Sequence, residues 1–192
     1  MRFFKNPVIM AHQMAGMVLR PGQRAIDATA GNGHDTLFLA KQVGPTGEVF
    51  AFDKQPLAIH RTAQRLKEAA VDTRVYLLNI GHEQMKNYVS GRFQTIMFNL
   101  GYLPGAERRF ATRPETTVPA LQQGLELLSP RGILLVVVYV GHAGAREEQQ
   151  AIEEWVQTLP QPDWDVLRCS YPNRTNNPPY LLAIQRVAVT TV

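Results

Sequence analysis

The chain has 192 residues, of which 45% are hydrophobic and 19% charged, a composition that indicates one globular domain and excludes a largely disordered chain. No apolar run approaches the ~20 residues that a membrane helix needs, so we expect no membrane span. The net charge of +4 permits an RNA partner without requiring one. Cys169 is the only cysteine and the N-terminus lacks a signal-peptide pattern, so we expect a cytoplasmic protein without an intrachain disulfide.

The predicted elements alternate along the chain. An N-terminal helix begins at Asn6-Pro7, because asparagine caps a helix and proline suits its first position, and this helix ends near Leu19. Predicted strands cover residues 24–28, 48–53, 74–78, 93–99, 132–140, 165–170 and 180–186. Predicted helices cover residues 34–42, 56–70, 81–89, 114–128 and 146–159. Apolar strands that alternate with amphipathic helices predict a parallel sheet covered on both faces.

The end of the chain departs from this alternation. The last two predicted strands are joined by a turn-rich link, residues 172–179, which is too short for a helix. The last strand is therefore free to insert antiparallel beside the sixth. We predict an α/β fold with a seven-stranded, mostly parallel sheet, in one domain over residues 1–192 with the helix of residues 1–20 packed on it. This arrangement resembles the class I (Rossmann-like) methyltransferase fold.

A glycine-rich turn follows the first strand, in the segment DATAGNGHDT from Asp27 to Thr36. Such a turn brings backbone N–H groups close to a small ligand, and Asp53 follows about 20 residues after the glycines, where an acid suits the two hydroxyls of a ribose. Thr36 replaces the third glycine of a dinucleotide fingerprint, and a carboxylate at Asp27 repels a pyrophosphate but attracts a cation. The segment therefore favours S-adenosylmethionine, which carries a sulfonium, an ammonium and a ribose, over a nicotinamide dinucleotide.

Ligands of such sheets lie at the carboxyl ends of the strands, so the residues after each strand are the site candidates. We expect His82 and Glu83 beside the adenine. A turn that binds nothing is the alternative, but the turn and both acids would then coincide by accident. The expected cofactor contacts are Asp27, Thr29, Gly31, Asn32, Gly33, Asp35, Thr36, Asp53, Lys54, Gln55, His82, Glu83, Asn99 and Gly101.

The residues after the fourth and fifth strands are the catalytic candidates: Asn99, Tyr102 and His142. The segment from Asn99 to Tyr102 partly matches the Asn-Pro-Pro-Tyr loop of enzymes that methylate amines of nucleic-acid bases. Leu100 and Gly101 replace both prolines, so the match favours a nitrogen target without indicating a base amine. An alkylamine has a pKa of about 10.4 and arrives mostly protonated, so a base would help. His142 is the candidate base, with a structural or substrate-positioning histidine as the alternative.

Arginines and amides recur in the segments predicted as loops. Arginine and aromatic side chains suit a phosphate and a splayed base, so these residues are candidate RNA contacts. A solvated surface and a polar loop without a ligand remain equally open. The candidates are Arg108, Arg109, Arg113, Asn173, Arg174, Asn176 and Asn177.

Three segments together resemble one small bacterial family: DATAGNGHDT at 27–36, NLGYLPG at 99–105 and NRTNNPP at 173–179. The family was long labelled "putative rRNA methylase", and its members are now assigned as tRNA 5-aminomethyl-2-thiouridine methyltransferases that act at the wobble position. The resemblance covers nearly the whole chain. It implies transfer of the methyl group of S-adenosylmethionine to the aminomethyl nitrogen, with the tRNA anticodon arm as partner. Val140, before Gly141-His142, departs from the family pattern.

Other functions stay open from the sequence. A methyltransferase that acts on rRNA or on a small-molecule amine has the same cofactor motifs, as does a non-catalytic protein that binds S-adenosylmethionine. We expect no metal ion. A homodimer is possible, because the sequence does not determine the oligomeric state.

Overall fold

A computed structural model describes residues 4–101, 111–141 and 144–187. The helices in these ranges are α1 (Pro7–Val18), α2 (His34–Val43), α3 (Pro56–Glu68), α4 (Pro114–Leu127) and α5 (Ala145–Gln157). The strands are β1 (Arg24–Asp27), β2 (Glu48–Phe52), β3 (Val75–Leu78), β4 (Phe93–Asn99), β5 (Leu128–Val138), β6 (Trp164–Cys169) and β7 (Tyr180–Arg186). Short 3-10 helices cover Asp72–Arg74 and His82–Asn87. None of the described helices combines the length and the apolar character that crossing a membrane requires.

The seven strands form one sheet in the order β3-β2-β1-β4-β5-β7-β6. The first five strands pair in parallel, and β7 lies antiparallel between β5 and β6. The predicted fold is confirmed, including the antiparallel insertion of the last strand. The chain reverses its direction of travel across the sheet between β1 and β4, and such a reversal opens a crevice at the carboxyl ends of these strands.

Two predicted elements are wrong in detail. A helix was expected at residues 81–89, but the chain forms the tighter 3-10 helix His82–Asn87. The Gln123 side chain of α4 donates to the Glu83 carbonyl and accepts from the Lys86 N–H. In an α-helix these two backbone groups would instead hydrogen-bond to other backbone groups of the same helix.

The fifth strand also differs from its prediction. It begins at Leu128, four residues before the predicted start, and ends at Val138. The pairing with β4 shifts register between Phe93 and Thr95, and Arg131 on the opposite strand has a φ of 58°. This irregularity, next to Pro130, interrupts the apolar pattern from which the strand was predicted.

Two apolar layers cover the sheet, and α1 belongs to the layer that also contains α2. The side chains of Ala11 and Ala15 in α1 and of Leu19, directly after it, repeat every four residues and are at most 1% exposed. They pack with Leu135 and Val137 of β5. Because alanine side chains are small, the helix lies close to the sheet, and residues near its first turns reach the carboxyl edge.

Candidate active site

A cavity of about 540 Å³ opens at the carboxyl ends of the parallel strands. Its wall comes from residues 28–32 after β1, 52–55 after β2, 81–83 after β3 and 99–101 after β4. Tyr139 and Gly141 after β5 complete it together with His34, Asp35, Thr112 and Thr116. Five strand ends therefore meet at one cavity, as the switch in strand order predicts.

Most residues predicted to contact the cofactor lie in this wall. They are Thr29, Gly31, Asn32, Asp35, Asp53, Lys54, Gln55, His82, Glu83, Asn99 and Gly101. Asp27, Gly33 and Thr36 are not among the described residues that line the cavity. Tyr102, Arg108, Arg109 and His142 lie outside the described residues.

Asp27 is buried beneath the turn, whereas we expected it at the mouth of the turn. Its oxygens accept hydrogen bonds from the Thr29 N–H, at 3.0 Å, and from the Thr36 hydroxyl. Burial raises the pKa of Asp27 to about 7, and the nearby charge of Asp35 adds to this effect. Asp27 differs from the expectation because β1 ends with this side chain directed into the core. Its two hydrogen bonds therefore stabilise the turn from the buried side.

Gly33 has a packing function in the structure. It has a φ of +77°, and a Cβ at this position would lie 2.9 Å from the Thr62 Cα of α3. Glycine therefore allows α2 to begin against α3. The preceding Asn32 is held by α3 as well, because the Arg65 Nε donates to its carbonyl at 2.6 Å and the Arg61 Nη1 to its side-chain oxygen at 3.1 Å.

Asp53 joins two loops at the cavity. Its Oδ2 accepts from the Gly31 N–H and its Oδ1 from the Gln55 N–H, each at 2.9 Å. Burial raises the pKa of Asp53, and these two backbone hydrogen bonds oppose the rise. A carboxylate offers about four lone-pair positions, so two remain for hydroxyl groups of a ligand.

His82 is a neutral histidine in the cavity wall. Burial lowers its pKa to about 4, and its Nδ1 lies 3.2 Å from the Ala28 carbonyl oxygen. A carbonyl only accepts, so Nδ1 carries the hydrogen and Nε2 is left as an acceptor. Together with the adjacent Glu83, this gives the β3 side of the cavity groups that accept hydrogen bonds from an amino group.

Asp35 is the centre of a second polar cluster, at the β4 side of the cavity. Its Oδ2 accepts from the Asn99 Nδ2 at 3.0 Å, and its Oδ1 lies 2.6 Å from the His12 Nε2. The His12 ring stacks on Phe38 of α2, with ring centres 4.0 Å apart. Sequence reasoning missed His12 because it lies in α1, 23 residues before Asp35 and outside any recognisable motif.

Tyr139 also lines the cavity, at the end of β5. Burial and the charge of Asp35 raise the pKa of Tyr139 above its usual value. Its phenol therefore stays protonated near neutral pH and is able to donate a hydrogen bond, but not to remove a proton.

A buried carboxylate of α5 supports the β4 side of the cavity. Glu148 is 1% exposed and accepts from the hydroxyls of Thr112 and Thr117. The Gly101 N–H donates to the Thr112 Oγ1, and the Thr112 N–H donates back to the Gly101 carbonyl, each at 2.9 Å. These bonds fix Gly101 and Thr112 against each other and against α5.

The described residues that we predicted as RNA contacts do not form one cluster in the structure. The Arg174 guanidinium lies over the Tyr171 ring, 3.6 Å from its centre, and donates to the carbonyls of Phe4 and Lys5. Arg174 thus holds the start of the chain against the link between β6 and β7. Arg113 is the residue before α4, and Asn173, Asn176 and Asn177 are exposed in the link. Asn177 borders a second cavity, of about 620 Å³, beside α5.

Comparison with known proteins gives a family match and relatives that match all or part of the chain. The model of the family described as "Putative rRNA methylase" matches residues 49–185. The "tRNA (mnm(5)s(2)U34)-methyltransferase, chloroplastic" of Arabidopsis thaliana is 36% identical over 192 aligned residues, 95% of this chain and 70% of that protein. The "Ribosomal RNA small subunit methyltransferase H" of Shewanella loihica is 32% identical over 113 residues, 54% of this chain and 35% of that protein.

Solved structures show the same architecture. A structure described as a "putative rRNA-methylase" from Clostridium thermocellum has a TM-score of 0.94 and 39% identity, and the match covers 96% of this chain and 99% of that one. A "putative methyltransferase" from Streptococcus mutans in complex with SAH has a TM-score of 0.88 and 34% identity, with the same coverage of both chains. An O-methyltransferase from Thermotoga maritima, at 18% identity and a TM-score of 0.66, shares the fold over 93% of this chain and 65% of that one.

Proposed function

The chain belongs to the family described as "Putative rRNA methylase", and from this premise we propose that it methylates the aminomethyl nitrogen of 5-aminomethyl-2-thiouridine at the tRNA wobble position, with S-adenosylmethionine as methyl donor. The assignment of this substrate rests on the 36% identity with the Arabidopsis tRNA (mnm(5)s(2)U34)-methyltransferase over 95% of this chain. Methyltransferase activity and the cofactor have broader support, because the Streptococcus mutans neighbour at 34% identity, described as a "putative methyltransferase", is in complex with SAH.

The residues of the cavity fit S-adenosylmethionine. Asp53 retains acceptor positions for two ribose hydroxyls, and His82 Nε2 is free to accept from the exocyclic amino group of an adenine. Gly31 and Asn32 of the turn lie in the same wall, and the Gly31 N–H holds Asp53 in place. This assignment puts the nucleoside on the β2–β3 half of the carboxyl edge. The β4–β5 half is then available to the methyl acceptor.

The cofactor supplies an electrophilic methyl carbon on a sulfonium, so alignment of the nucleophile accounts for much of the catalysis. We infer that Asn99 holds that nucleophile. Its Nδ2 donates to Asp35, so its Oδ1 is the atom left to accept a hydrogen bond from an N–H of the acceptor. Tyr139, which stays protonated, can donate to an oxygen of the substrate but cannot act as a base.

A methyltransferase that acts on rRNA is the second candidate. The Shewanella loihica relative named as a small-subunit rRNA methyltransferase favours it, but this chain spans only 35% of that protein. The match with the tRNA relative covers 95% of this chain and 70% of that protein. We therefore place rRNA second.

Transfer of an isotopically labelled methyl group from S-adenosylmethionine tests the proposal. The acceptors, offered in parallel, are tRNA that carries unmethylated 5-aminomethyl-2-thiouridine, small-subunit rRNA and simple primary amines. We expect label in the tRNA alone. Label in rRNA or in the small amines instead would replace the proposed substrate, and bound cofactor without any transfer would indicate a non-catalytic binding protein.

A further inference from the structure

The two halves of the carboxyl edge of the sheet present different chemical groups to the cavity. On the β2–β3 half, Asp53, His82 and Glu83 face the cavity with groups that suit a nucleoside. On the β4–β5 half, the cavity wall contains Asn99 and Tyr139. Asp35, at the start of α2, reaches the β4–β5 half, because its Oδ2 accepts from the Asn99 Nδ2 and its charge acts on Tyr139. This position groups Asp35 with Asn99 rather than with Asp53, His82 and Glu83.

Asp35 is held there by His12. Only 5% of Asp35 is exposed, and a carboxylate that is buried without partners would be protonated or costly to the fold. The His12 Nε2, 2.6 Å from the Asp35 Oδ1, and the Asn99 amide bind both oxygens and leave the remaining lone pairs for a ligand. Stacking on Phe38 fixes the His12 ring in this orientation.

We propose that the Asp35 carboxylate, together with the Asn99 Oδ1, accepts hydrogen bonds from the nitrogen that is methylated, and that His12 is the residue that positions Asp35. The proposal rests on the proposed function, since it requires a nitrogen acceptor. It adds His12 to the residues needed for the reaction and moves Asp35 from the cofactor to the methyl acceptor.

The charge on the acceptor nitrogen changes during the reaction, so the Asp35 carboxylate acts differently on the ground state and on the transition state. The acceptor enters as a neutral amine with two hydrogens, after its ammonium form has lost one proton to water. The nitrogen lone pair forms the N–C bond while the C–S bond breaks, and the sulfur keeps that electron pair as a thioether. Both hydrogens stay on the nitrogen, which becomes positively charged beside Asp35. A carboxylate at this position stabilises the transition state more than the neutral ground state.

Four variants test this inference. H12F keeps an aromatic ring for Phe38 but removes the hydrogen bond to Asp35, whereas the amide of H12Q can still donate to Asp35. D35N removes the charge, and H60F makes the same substitution at an exposed histidine of α3 as a matched control. For each we would measure kcat and KM for the undermodified tRNA at saturating S-adenosylmethionine, Kd for S-adenosylmethionine by calorimetry, and thermal melting.

We expect D35N to lower kcat by about 100-fold and H12F by roughly tenfold or more, with Kd for S-adenosylmethionine changed by less than about twofold. H12Q should recover most of the activity, and H60F should match the wild type. If H12F proves unstable in the melting assay, the contrast between H12Q and D35N still tests the role of the Asp35 charge.

Two results would overturn the inference while the proposed function stands. One is wild-type kcat in both H12F and D35N. The other is a weakened Kd for S-adenosylmethionine with unchanged kcat at saturation, since Asp35 would then hold the cofactor's ammonium. A wild-type protein that transfers no methyl group to the tRNA would instead overturn the proposed function, and this inference with it.

Discussion

At the scale of single residues, Asp53 joins the glycine turn to the loop after β2 through two backbone hydrogen bonds. We expect Asp53→Ala to weaken binding of S-adenosylmethionine by roughly 1–3 kcal/mol, because charge-assisted hydrogen bonds to the ribose are lost. Isothermal calorimetry measures this change. Glu48→Ala is the matched control, since it removes a carboxylate at the opposite end of β2, where Glu48 pairs with Arg24. Equal binding by the Asp53→Ala variant and the control would remove Asp53 from the ribose site.

His82 should make the stability of the protein depend on pH. Its pKa is lowered from 6.5 to about 4 in the folded chain, chiefly by burial. Between these values the unfolded chain binds a proton that the folded chain does not, so stability falls as pH decreases from 6.5 towards 4. At and above neutral pH this contribution is fully present.

The His82→Gln variant isolates this effect, because glutamine can still donate to the Ala28 carbonyl but does not titrate. We expect the difference in unfolding free energy between wild type and variant to shrink by about 3 kcal/mol between pH 7 and pH 4. Urea unfolding at several pH values measures it. A difference that stays constant with pH would mean that His82 is protonated in the folded protein as easily as in the unfolded chain.

At the scale of elements, two glycines of helical segments should respond oppositely to alanine. Gly33 directly precedes α2 and has a φ of +77° against the Thr62 backbone, so Gly33→Ala should destabilise the protein by at least about 1–2 kcal/mol. Gly16 lies inside α1, and a Cβ there meets no heavy atom closer than 4.0 Å. Gly16→Ala should therefore stabilise by roughly 0.5–1 kcal/mol. Chemical denaturation of both variants decides this, and a stable Gly33→Ala protein would contradict the packing argument.

The elements that sequence reasoning predicted well are those with their own local signals. Asn6-Pro7 marks the start of α1, and the Asn6 side chain does accept from the Ile9 N–H. The segment His82–Asn87 was wrong because its backbone pairs with Gln123, a residue of a distant helix. No local pattern contains that contact. Asp27 lies under the turn because β1 ends with its side chain directed into the core, whereas the strand ends that surround the cavity could be predicted from the alternation alone.

At the scale of the whole molecule, the antiparallel insertion of the last strand was predicted by resemblance, because periodicity does not determine which strands are neighbours. The same limit applies to His12. Its position beside Asp35 depends on the packing of α1 across the sheet, which brings residues 23 positions apart within 2.6 Å. The proposed substrate comes from one relative that matches 95% of this chain, and we propose from the residues lining the cavity which half of the edge receives it.

Mass spectrometry of nucleosides tests the central claim most directly. Undermodified tRNA is incubated with the protein and S-adenosylmethionine, digested and compared with a sample lacking the protein. We expect one added methyl group on 5-aminomethyl-2-thiouridine and on no other nucleoside. A methyl group on a different nucleoside, or none at all while the cofactor binds, would contradict the assignment of this protein as a wobble-uridine N-methyltransferase.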